Sequence, residues 1–245
     1  MNANAATEPI EEASPRSRAR IAGVFYLLVF VMGGVALSVG GNLVVQGDAA
    51  ATASNILAHE SLFRWRFAAD LIASACYVVV TALFYDLFKP VSRRLSLLAA
   101  FFSVVGCAIG AVSCIFYLAP LAILRGAPYL SVFSGEQLQA LALMFLKLYV
   151  QGYSIGLVFF GFYCLLIGYL VFRSTFLPRA LGVLMAFAGL GWLVFLSPPL
   201  ASALSPYVLA PGIIGEGSLT LWLLAKGVDA TRWKERAAVA RLAKV

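Results

Sequence analysis

The eighteen residues 71–88, LIASACYVVVTALFYDLF, carry one charge, that of Asp86. A run of this length and polarity matches one crossing of a lipid hydrocarbon core, about 20 residues rising 1.5 Å each across about 30 Å. It is one of six. The apolar runs are 21–45, 62–88, 95–124, 145–172, 179–196 and 207–225. Residues of the hydrophobic class make up 62% of the chain and charged residues 12%, where a soluble domain is about a quarter charged. A chain this apolar has too little polar surface to cover itself in water, so a bilayer is its expected solvent.

The polar residues punctuate these runs. Residues 1–20 read as a flexible tail, 21–226 as the six-span membrane domain, and 227–245 as a basic tail able to form a surface helix. DAAATA, at 48–53, has the small-residue pattern of a signal-peptide cleavage site. The apolar run before it is longer than the 7–15-residue apolar region of a signal peptide, so a retained first span is expected. Ser134 and Gln137 have capping-box spacing, which opens a helix by satisfying its free N–H groups. SPPLASALSP, at 197–206, reads as a turn, and Pro211 with Gly212, Gly215 and Gly217 predicts a kinked or irregular first half of the sixth span.

The cations set the orientation. Fourteen of the eighteen lysines and arginines fall in the two tails and in the loops after spans two and four. The other side keeps Arg64, Arg66, Arg125 and Lys147. Under the positive-inside rule this bias puts both tails in the cytoplasm. The expected fold class is all-α: an integral membrane six-helix bundle with N and C termini cytoplasmic. The net charge of +7 does not mark a nucleic-acid surface, because the cations lie between the apolar runs instead of on one face. Membrane lipids are the expected partners of the basic C-terminal tail; the alternative reading is that the tail only enforces topology.

Four stretches carry a family resemblance: FRWRFAADLIASACYVVVTALFYDLFKPVSRRLSLLAA, LVFFGFYCLLIGYLVFRSTFLPRALGVLMAFAGLGWL, LSPPLA and GEGSLTLWLLAKGVDATRW. With them the chain resembles a bacterial membrane family, domain of unknown function 4386. The resemblance implies a multi-pass protein of the inner (plasma) membrane and implies no activity.

Depth counting selects the polar groups. Arg66 lies about 33 Å and Asp70 about 27 Å above Phe88. Both are therefore near the far interface, four residues apart on one face and able to pair. Lys147 lies about 37 Å above Phe172, with Gln151 and Tyr153 below it. Glu216 is different, standing about 14 Å above Ala225 and near the middle of the bilayer. A carboxylate there costs on the order of 3 kcal/mol and usually faces a partner or a cavity. These residues predict an outward-facing polar cavity lined by spans two, four and six, with Arg66 and Lys147 at its mouth and Glu216 at its floor. The expected ligand-binding set is Arg66, Asp70, Lys147, Gln151, Tyr153 and Glu216, for a small molecule or ion that is bound or transported.

Two other readings stand beside this one. In the first, the chain is a structural protein that meets a partner or a second copy through G-x-x-x-G faces at Gly106/Gly110 and Gly152/Gly156. In the second it is an intramembrane enzyme, for which Glu216 needs another acid or base. No H-E-x-x-H, phosphate-binding loop or G-x-S-x-G is present. The single histidine, His59, is outside the spans. The four cysteines lie in apolar runs without C-x-x-C spacing, so they read as free small hydrophobes. No metal, cofactor or nucleic acid is expected. Trp192 reads as an interface anchor and Trp222 as core packing.

Overall fold

The structure is a computed structural model that describes residues 14–242. It is helical throughout, with no strand among the described residues. Six helices are long and apolar enough to cross a membrane. They are α1 (Pro15–Leu43), α3 (Glu60–Phe88), α4 (Arg93–Leu124), α5 (Gly135–Arg173), α6 (Arg179–Leu193), extended to Leu196 by a 3-10 turn, and α8 (Ala210–Ala225), preceded by a 3-10 turn at Tyr207–Leu209. Three helices lie outside the spans: α2 (Ala49–Ala58), α7 (Pro198–Ala203) and α9 (Ala230–Leu242).

The six long helices form a closed ring in chain order. Each packs on the next, α1 on α3, α3 on α4, α4 on α5, α5 on α6 and α6 on α8, and α8 returns to α1. Short connections make sequential neighbours antiparallel. A ring of six gives every helix one face toward the centre and one toward lipid. The outer wall is accordingly apolar and exposed, with Val31 and Val35 on α1, Phe101 and Ile115 on α4, and Leu221 on α8. Trp222, expected in the core, belongs to this wall and is 36% exposed.

Several local expectations change. The first helix starts at Pro15 instead of residue 21, because Ser14 accepts a hydrogen bond from Ser17 N and Pro15 occupies the first turn. Residues 1–13 of the expected tail lie outside the described residues. DAAATA opens α2, with Asp48 accepting from Ala51 N. The 197–206 segment contains the short helix α7. The sixth span begins irregularly, with the 3-10 turn Tyr207–Leu209, and Pro211 then stands in the first turn of α8, where its missing N–H leaves no hydrogen bond unmade. The capping box of Ser134 and Gln137 opens α5 as the spacing predicts, and α5 then runs unbroken for 39 residues.

The start of α1 and the end of α8 meet at one end of the bundle, the basic end. Arg16 Nε donates to Lys226 O and Arg20 Nη2 to Ala225 O, each at 3.3 Å. These arginines satisfy the free carbonyls of α8 and complement its dipole. Gly227, at φ +67°, turns the chain into α9, a turn that favours glycine. Asp229 caps α9, accepting from Thr231 N and Arg232 N. Trp233 Nε1 then donates to Leu87 O at 2.8 Å, which pins α9 across the end of α3. Trp233→Phe removes a bond of about 0.5–1.5 kcal/mol. Amide exchange in 230–242 is expected to accelerate while that of α3 is unchanged; unchanged exchange in α9 would show that Trp233 does not hold it.

Candidate functional site

The floor of the ring is built around Glu216. Its Oε2 accepts from Tyr26 OH at 2.5 Å and Tyr77 OH at 2.9 Å, and its Oε1 accepts from Trp192 Nε1 at 2.6 Å. The two tyrosine hydroxyls are 3.1 Å apart. Four helices, α1, α3, α6 and α8, thus meet at one carboxylate that is 6% exposed. The same depth count explains the meeting. Tyr26 and Tyr77 stand about 16 Å, Trp192 about 20 Å and Glu216 about 14 Å from the basic end of their helices. Gly212 makes room for Trp192, because a Cβ there would run into the indole. Hydrogen bonds to a charged group contribute about 1.5–3 kcal/mol each, so three of them offset the cost of placing a carboxylate at this depth.

Above the floor, at the far end, is a second polar cluster. Tyr149 OH donates to Asp70 Oδ2 at 2.8 Å, and Arg66 Nη2 donates to Tyr149 OH at 3.5 Å. Arg66 and Asp70 pair as their spacing predicts, Nε to Oδ2 at 3.9 Å, with side chains 13% and 11% exposed. The guanidinium carbon lies 4.9 Å from the Tyr117 ring centroid and 5.4 Å from that of Tyr149, within cation–π range. Gly40 of α1 admits the guanidinium, which a Cβ at that position would strike.

Between floor and roof is a cavity of about 510 Å³, within the range of pockets that hold a small organic molecule. Arg66, Asp70, Tyr149 and Tyr153 line its upper part, and Tyr26, Tyr77, Trp192 and Glu216 its base. Phe30, Leu157 and Phe160 form apolar walls, and Gly33, Gly34 and Gly110 leave space between them.

Four of the six expected residues, Arg66, Asp70, Tyr153 and Glu216, therefore line one cavity. Lys147 and Gln151 do not; both are exposed on α5. The reason is angular. Successive helical residues turn by about 100°, so positions two away from the inward-facing Tyr149 lie on the opposite side of α5. The cavity is also less polar at its mouth than expected. Leu37 and Val150 line it and are 59% and 58% exposed, whereas Arg66 lies inside. Spans two, four and six are not neighbours; they are alternate members of the ring and face one another across it.

Tyr26, Tyr77 and Trp192 are absent from the expected set. Depth alone would have found Tyr77, which stands at the level of Glu216; Tyr26 reaches that level only because α1 starts at Pro15 instead of residue 21. The G-x-x-x-G glycines are used inside the chain. A Cβ on Gly106 or on Gly156 would lie 3.2 Å from the other's carbonyl oxygen, and one on Gly152 would meet Ser113. Among the described residues no cluster of three or more His, Cys, Asp or Glu side chains is placed to hold a metal, and the four cysteines are free.

The chain is similar to an uncharacterized protein of the archaeon Archaeoglobus fulgidus, 28% identical over 153 residues, which are 61% of this chain and 76% of that protein. No solved structure matches it. A family model described as "Domain of unknown function (DUF4386)" matches residues 21–227, from the second turn of α1 to the turn before α9. The chain is a multi-pass membrane protein and belongs to the domain of unknown function 4386 family.

Proposed function

We propose that the chain binds a small amphipathic molecule in its central cavity and carries or presents it within the membrane. The observation that supports this is the cavity itself. A bundle whose role is only structural fills its centre with side chains, whereas this ring keeps about 510 Å³ open between two built polar ends. In this reading the basic end faces the cytoplasm of a cell's inner membrane, in keeping with the positive-inside bias, and the Arg66 cluster faces outward. A scaffold acting through G-x-x-x-G faces has less support, because Gly106, Gly152 and Gly156 pack within the chain.

Gly33→Leu tests the reading. A Cβ at Gly33 meets nothing within 4 Å, so the variant is expected to fold while its side chain occupies the cavity. Native mass spectrometry of the full chain, after exchange into lipid of known composition, is expected to show a retained small molecule with the wild type and none with Gly33→Leu. Equal retention by both proteins, or none by either, would contradict the proposal.

A further inference from the structure

The ring is uneven in height. At 1.5 Å per residue α1 and α3 are each about 44 Å long, α4 about 48 Å and α5 about 58 Å. With their 3-10 turns α6 and α8 reach only about 28–30 Å. Above them the chain between α6 and α8 supplies only the short helix α7, which packs on the 3-10 turn that ends α6. The cavity reaches the surface there, since Leu37 on α1 and Val150 on α5 line it and are both exposed. The axial route is closed instead. Leu43, Ile56, Phe63, Tyr117 and Leu146 pack into one buried cluster at the far end, with α2 laid against α5. The mouth therefore opens sideways, at the level of the far lipid headgroups.

Charge sets which head group the roof accepts. Arg66 is the one cation among the residues lining the cavity. A guanidinium has five N–H donors, and those of Arg66 are poorly used. Its hydrogen bond to Tyr149 is long, at 3.5 Å, and Nε has no hydrogen-bond partner while shielded from solvent. Asp70 Oδ2 already accepts from Tyr149. At 3.9 Å from Arg66 Nε, Asp70 Oδ2 is beyond hydrogen-bond reach, so the guanidinium keeps donors free, and a carboxylate or phosphate matches its fork. The floor has the opposite bias. Glu216 already takes the donors of Tyr26, Tyr77 and Trp192, so an anionic head finds its free donors at the roof, and an apolar chain runs down past Phe30 and Phe160.

Resting on the binding reading above, we propose that the ligand is a single-chain amphipath with a compact anionic oxygen head, entering from the far leaflet between α1 and α5 and seating its head on Arg66. The test measures binding of dodecanoate, dodecyl phosphate, dodecanol and dodecylamine to the full chain in lipid nanodiscs, against protein-free nanodiscs. At least one anion is expected to bind about tenfold tighter than the alcohol or the amine. The better of the two anions distinguishes a free acid from a phosphate lipid as the source. In the double variant Arg66→Gln/Asp70→Asn, which leaves no unpaired charge, the anion preference is expected to vanish while dodecanol binding stays. If dodecanol or dodecylamine binds the wild type as well as the anions do, and Gly33→Leu abolishes that binding, the head-group assignment falls and the binding site stands. If no probe shows binding sensitive to Gly33→Leu, both fall.

Discussion

Replacing Glu216 with leucine is expected to destabilise the bundle by about 2–4 kcal/mol, through the loss of its hydrogen bonds more than its volume. Three donors from three other helices converge on this side chain. Without it, one tyrosine hydroxyl can still donate to the other, since they are 3.1 Å apart, but Trp192 N–H and the second hydroxyl are left without an acceptor. An unsatisfied buried donor costs about 1–3 kcal/mol. Glu216→Gln should cost distinctly less. Its amide oxygen can accept from Trp192, and its amide nitrogen can donate to the tyrosine oxygens, which accept as well as donate. The ordering of wild type, then Gln, then Leu, read from unfolding in detergent, checks this account. Equal stability of Leu and wild type would mean that the floor does not hold the ring.

Gly168→Leu should be more damaging still. A Cβ on Gly168 would lie 2.7 Å from Gly182 O and 2.8 Å from Ala186 N, both main-chain atoms of α6. The reciprocal Cβ on Gly182 would lie 2.7 Å from Gly168 O, and one on Gly189 would lie 2.8 Å from Gly161 O. Main chain cannot swing aside as a side chain does, so α5 and α6 must separate. Lipid offers no hydrophobic drive to hold them together, because helix association in a membrane rests on close packing. The expected loss is about 3 kcal/mol or more, seen as failure to recover a monodisperse protein. Trp192 rides on α6 and would be drawn away from Glu216, so damage at the crossing reaches the site. Gly33→Leu makes the same chemical change where a Cβ meets nothing and is the control.

The parts of the molecule legible in the sequence are those governed by one dimension. Span number and length follow from the thickness of hydrocarbon, and the depth of Glu216 follows from counting residues along a helix. The angle about each helix axis was harder to read, because it depends on the order of helices in the ring. Residue counting puts Lys147 and Gln151 within two residues of Tyr149, yet both lie on the opposite face of α5. Trp192 reads as an interface anchor because a tryptophan near the end of a run usually is one, yet α6 is short and the indole bonds to Glu216. Gly106 and Gly156 were found by their G-x-x-x-G context but pair with each other instead of a partner. The tighter contact, Gly161 and Gly168 against Gly182 and Gly189, has a spacing of seven on both helices. That spacing also returns to one helix face, and it passes unnoticed when only spacings of four are sought.

The central claim is that a molecule reaches the floor of the cavity, and Trp192 reports on it directly. In a chain with Trp65, Trp222 and Trp233 changed to Phe, the remaining indole is bonded to Glu216 at the cavity base. Titration of this chain in nanodiscs with dodecanoate brominated at the chain end is expected to quench Trp192 saturably, and Gly33→Leu is expected to remove that quenching. Quenching that rises in proportion to probe in the bilayer, with the same slope in both proteins, would mean that the probe meets Trp192 only through lipid and that the cavity is not a binding site.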